Sequence, residues 1–173
     1  MPHAQYAIDL HTGAIHRSNL PQLRVHLEND KAADIANAFG VPVIVDAEIR
    51  DGSMRGAGDD RGIAIITYEA GEALRFDESA ITPGVQGVRN VMTHLGMLPA
   101  RKAARPVPEA AIAKSSSWVR AADDGFFRPH VALGDRVAKG DVLAHVSGPL
   151  EDTGQPILAP GSGIVIGRNN LPQ

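Results

Sequence analysis

The sequence predicts an α/β sheet unit followed by a small all-β unit. Strand-type apolar runs alternate with helix-spaced segments as far as Leu98. The strongest run (residues 62–68) is apolar nearly throughout, as in strands covered on both faces. From Ser116 onward the spacing shortens, and glycines such as Gly125, Gly134, Gly140, Gly148 and Gly154 divide the chain into segments of strand length.

Each element follows from local pattern. Residues 6–10 (YAIDL) form a short apolar stretch that reads as a buried strand and runs directly into His11. Residues 28–39 place Ala32, Ala33, Ile35, Ala36 and Phe39 at helical spacing, with Gly40 as the expected C-cap. Residues 41–45 (VPVIV) read as a second strand, and residues 52–62, small and polar, as a loop or a weak helix. The run 62–68 is the third strand, followed at once by Glu69, Ala70 and Gly71. Val85, Val88, Val91, Met92, Leu95 and Leu98 fit one face of a helix. A basic, proline-bearing stretch then reads as an exposed linker. The expected organisation is an α/β unit over residues 1–102, a linker over 103–115 and a β unit over 116–173.

Composition narrows the function classes. With 43% apolar and 21% charged residues, the 173-residue chain has the profile of a globular protein that buries a core. Its net charge of −3 gives no basic surface for nucleic acid, and no apolar run approaches a membrane span. The N-terminus lacks the pattern of a signal peptide, so a cytoplasmic location is expected. Without cysteine, any transition-metal site must be built from histidine and carboxylates.

Two positions stand out for chemistry. His11 follows a strand, where open α/β sheets present ligand-binding groups, and Asp9 would share its side if the strand continues. Either it is a metal ligand or, in a chain with seven histidines, a surface-turn residue. Glu69 ends the strongest strand, where a carboxylate suits a general base, although Glu72 is an equal candidate by composition. His26 and His94 read as packing residues, while His130 and His145 lie in the β region. There is no HExxH, no GxSxG and no phosphate-binding glycine loop.

Three segments carry a family resemblance. DLHTG (9–13) with HRSNLP (16–21) resembles the second zinc-ligand segment of the succinylglutamate desuccinylase/aspartoacylase family, and TYEAGE (67–72) resembles its catalytic glutamate segment. GVRNVMTHLGM (87–97) is similar to the helix that follows in bacterial members. The resemblance implies a zinc-carboxypeptidase-like mixed sheet with helices, followed by a β-rich domain. It implies one zinc ion with His11 as a ligand, Asp9 behind it, and Glu69 as the base that activates water. Substrates would be N-acyl amino acids or related small amides, whose carboxylates meet arginines; Arg17, Arg55 and Arg61 are the candidates.

The HxxE motif that supplies the family's other zinc ligands occurs nowhere in the 173 residues. The expectation is therefore a chain that lacks this segment, does not hydrolyse amides by itself, and self-associates through an unpaired sheet edge as a homo-oligomer. Residues 126–146 and 157–166 look like the barrel-sandwich pattern of biotinyl and lipoyl carriers, but the connection at 147–156 has no lysine to modify. The alternative to a hydrolase is a non-catalytic binding module based on this β unit.

Overall fold

The computed structural model describes residues 4–100, 109–150 and 154–172. A mixed six-stranded sheet is its centre, built from β1 (Tyr6–Gly13), β2 (Arg17–Val25), β3 (Val43–Asp46), β4 (Ala64–Glu72) and β5 (Ala111–Ala113), ordered β1-β4-β2-β3-β5. The sixth strand, β11 (Gly167–Asn169), pairs with the first residues of β2 on the edge that β3 occupies further along. β1 and β4 are parallel, and β2 runs antiparallel to β4. Among the described residues, β1 has no partner on its outer edge.

The two faces of this sheet differ because strand side chains alternate. Leu23, Val25, Ile44, Ile66, Tyr68 and Ala70 point to one side and form the core with α1 (Asp30–Phe39) and α3 (Glu78–His94). Phe39 stacks on Tyr68 with ring centroids 5.2 Å apart. A side chain on Gly87 would overlap the Phe39 ring, so the glycine is what lets α3 come this close. The other face carries Asp9, His11, Gln22, Arg24, Thr67 and Glu69, which the strand register places side by side. Short α2 (Met54–Asp59) lies over this second face, with Gly58 against Ile65.

Several elements depart from the sequence-based expectation. The first strand continues through His11 to Gly13, so His11 lies in the strand and not beyond it. β2 was not expected: it holds Arg17, Asn19, Pro21, Gln22 and Arg24, too polar to read as a central strand. α3 starts at Glu78, not Val85, because Asp77 caps it and the helix runs through Pro83. α2 decides the 52–62 segment in favour of a short helix after Ser53, whose hydroxyl accepts from the Gly56 N–H.

Beyond the main sheet, β6 (Phe126–Pro129), β8 (Val142–Ser147) and β9 (Gln155–Leu158) form a three-stranded antiparallel sheet. β7 (Arg136–Val137) and β10 (Gly163–Ile164) form a two-stranded one. Residues 103–108 of the expected linker lie outside the described residues, whereas Ala111–Ala113 of it are β5, hydrogen-bonded to β3. β11 likewise brings residues of the expected β unit into the main sheet.

Candidate active site

Glu69 sits in β4 with His11 directly beside it in β1 and Gln22 directly beside it in β2. Directly opposed residues of adjacent strands share a face, so all three look onto the polar side of the sheet. Both Glu69 oxygens are held: Asn19 Nδ2 donates to Oε2 at 2.9 Å, and Arg24 Nε donates to Oε1 at 3.0 Å. The Glu69 side chain is 19% exposed and Arg24 30%, so the pair is partly open to solvent. Beneath them Gln22 Nε2 donates to the Ile166 carbonyl at 3.3 Å, and its buried Oε1 has no partner among the described residues.

In β1, His11 Nε2 lies 2.9 Å from Asp9 Oδ2, while the imidazole is half exposed. The strand's continuation past Leu10 is what puts the two on one side, two residues apart. The contact holds the ring through Nε2, so Nδ1 is the nitrogen it does not engage. Catalytic zinc takes three protein ligands, and among the described residues no group of three or more His, Cys, Asp or Glu is placed to hold a metal ion. His11 and Asp9 thus supply the chemistry of one oriented ligand and do not complete a zinc site.

Of the three arginines singled out in the sequence, Arg55 is the one whose charge interacts with that of Glu69. Its guanidinium donates to the carbonyls of Ala47 (2.8 Å) and Glu48 (3.2 Å). Burial pushes the Arg55 pKa down, as does repulsion from Arg24 and Arg50, and attraction to Glu69 opposes both. Arg17 starts β2 and lies over the Trp118 ring, 4.6 Å from its centroid. Arg61 donates to the Ala57 carbonyl at 2.7 Å and precedes β4, at the opposite end of the strand from Glu69.

Glu72, the other carboxylate of β4, has a different setting. It accepts from the His16 N–H and from Asn170 Nδ2, both at 2.9 Å, and pairs with Arg75 Nε at 3.3 Å. Burial pushes its carboxyl up, but the hydrogen bonds from Asn170, the His16 N–H and Arg75, with the Arg75 charge, outweigh that and hold it below the ordinary carboxylate range. Among the other histidines, His94 pairs with Asp34 at 2.8 Å and links α3 to α1, while His130 and His145 meet at 2.8 Å far along the chain. Sequence reasoning missed Asn19 and Arg24. For Arg24 the signal available was its alternation with Leu23 and Val25. Asn19 shares their parity and reaches Glu69 only through the register shift between Asn19 and Gln22, which no sequence pattern shows.

The family model of the succinylglutamate desuccinylase/aspartoacylase catalytic domain matches residues 1–95. No curated protein matches the chain in sequence. Among solved structures, the apo ectoine utilization protein EutE (DoeB) from Ruegeria pomeroyi superposes with a TM-score of 0.81 at 26% identity, over 99% of this chain and 57% of that one. The product-bound form of that protein gives 0.79 at 26% identity, over 99% and 55%. A succinylglutamate desuccinylase from a Silicibacter species gives 0.82 at 26% identity, over 99% and 55%. The chain spans a little over half the length of these relatives. No helix among the described residues is long and apolar enough to cross a membrane. The family match takes in more than half of the chain and contains β1 to β4 with both His11 and Glu69, and the protein belongs to the succinylglutamate desuccinylase/aspartoacylase family.

Proposed function

We propose that this chain carries the general base of an amide-hydrolysing site that acts on N-acyl amino acids or related small amides. The observation that supports this most is the setting of Glu69: a carboxylate one strand from His11, aimed by Asn19 and Arg24 onto an open polar face. In this reading Glu69 takes a proton from water as the water oxygen bonds to the amide carbon. The C–N bond then breaks, and the proton passes from Glu69 to the leaving nitrogen. Asn19 and Arg24 hold the carboxylate in the free site, so that it is already aligned when substrate arrives.

Zinc belongs to the same proposal as the cofactor. His11 Nδ1 is the nitrogen offered to it, with Asp9 holding the other side of the ring. On this proposal the remaining ligands would come from outside the described residues, among which no group of three or more candidate ligands is gathered. Bound zinc would polarise the carbonyl and acidify water. Of the substrate-binding candidates this reading favours Arg55, whose charge interacts with that of Glu69, over Arg61, which lies at the other end of β4.

The test is zinc content and amine release from N-acetyl and N-succinyl amino acids, for this chain and for any longer product of the same reading frame. Amine release is expected only where about one zinc is bound per protomer, and only with Glu69 intact. Amine release unaffected by Glu69→Gln, or a zinc-loaded protein that cleaves none of these amides, would defeat the reading.

A further inference from the structure

Between the main sheet and the C-terminal strands lies an open cavity of about 1680 Å³. Its charge is opposite to that of the chain, which is −3 overall. Six cationic side chains line it: Arg17, Arg24, Lys114, Arg120, Arg136 and Arg168. Among the described residues the acidic ones on its wall are Asp123 and Asp124. A concave surface of one sign concentrates its potential and draws counter-charged solutes.

Arg24 belongs to this cavity and to Glu69 at once. Its Nε is the atom bonded to Glu69, and Arg24 is one of the residues that line the cavity. A guanidinium has five donors, and the pair of Nη groups matches a carboxylate in two parallel hydrogen bonds. The single Nε contact to Glu69 is the weaker of the two arrangements. Asn19, also on the cavity wall, holds the second Glu69 oxygen independently of Arg24.

We propose that the cavity binds a small organic carboxylate at the Arg24 guanidinium, and that this contact draws Arg24 away from Glu69. Glu69 then stays oriented by Asn19, with Oε1 exposed to take a proton. Arg24 is in this account a specificity and positioning residue that links occupancy of the cavity to readiness of the base. The second half rests on the reading of Glu69 as the base; the binding half does not.

The experiment is calorimetric titration of the full chain at low salt with N-acetyl-L-glutamate and with N-acetyl-L-glutamine amide, which has the same skeleton without carboxylates. The acid is expected to bind at least about tenfold more tightly than the amide, as a bidentate charged contact allows. Glu69→Gln is expected to tighten acid binding several-fold, because Arg24 is released, and Arg24→Gln to erase the acid preference. Should Arg24→Gln fail to fold, Arg24→Lys carries the same test: acid affinity falls several-fold while amide affinity holds. Equal binding of acid and amide, an acid preference that survives the Arg24 variants, or weaker acid binding in Glu69→Gln would overturn the proposal. Amine release is followed in the same samples. Acid-selective binding without hydrolysis by a protein that holds about one zinc per protomer upholds the subsite and defeats the hydrolase reading, and Glu69-dependent hydrolysis with no acid preference does the reverse.

Discussion

Glu69 and Glu72 stand three residues apart on β4, yet their surroundings differ in kind. Glu69 faces the polar side of the sheet between His11 and Gln22, held by two side chains of one neighbouring strand. Glu72 is nearly buried and ties together three separate stretches: the β1–β2 turn through the His16 N–H, the loop after β4 through Arg75, and the C-terminal segment through Asn170. The difference arises at Gly71, whose φ of +65° places an irregularity in β4. Opposite it, β1 advances from His11 to Gly13 while β4 advances from Glu69 to Glu72. A glycine adopts that conformation without strain, and the extra residue re-aims the next side chain. Both carboxylates are hydrogen-bonded, so what separates them is that Glu69 keeps 19% of its side chain exposed on the polar face against 9% for Glu72.

The largest effect expected from breaking this pattern is at Glu69. In a zinc-loaded, active preparation, Glu69→Gln should lower amine release by about 10²–10⁴-fold, the range for loss of a general base. Circular dichroism should show the fold intact. Next is Gly71→Ala. A Cβ there would lie 2.9 Å from that of Ala80 and would force a left-handed conformation on a non-glycine residue. A loss of roughly 1–3 kcal/mol in urea unfolding is expected.

Glu72→Gln should act through stability and not through chemistry. The native pKa is depressed, so the stability that Glu72 contributes is present above the unfolded-state value near 4.5 and is lost as pH falls through the native value. Wild type should therefore lose stability on acidification more steeply than Glu72→Gln, measured as unfolding midpoints from pH 6 to about pH 3. The smallest effect sharpens the contrast from the apolar face of the same strand. Burial, then the Asp77 charge, pushes Tyr68 up to about 12 from 10.0, and its hydroxyl donates to the Ala80 carbonyl at 2.7 Å. Its contribution is present below about pH 10 and is lost as pH rises toward about 12. Tyr68→Phe should lack that alkaline loss.

How much of this was legible in the sequence depended on which face a strand shows. The 62–68 run, the 41–45 run and the helix ending at Gly40 were readable because apolar burial dictates their pattern. β2 escaped because every second side chain, such as Gln22 and Arg24, turns toward the polar face, which removes the apolar signal of a central strand. The start of α3 escaped because Pro83 and Gly84 read as a break, whereas the Asp77 cap and packing on Tyr68 carry the helix through them. At the site, the Asp9–His11 contact followed from a period of two. That Glu69 and not Glu72 stays open did not follow, because it depends on Gly71 and on Asn170, a residue from the far end of the chain.

The central claim is that one β4 carboxylate is for chemistry and the other for structure. The most direct test compares Glu69→Gln and Glu72→Gln side by side, each for amine release per folded molecule and for thermal unfolding midpoint. The account predicts a crossed result: Glu69→Gln loses activity with its midpoint kept, and Glu72→Gln loses midpoint with its activity kept. Activity lost equally in both, or lost in Glu72→Gln alone, would contradict it.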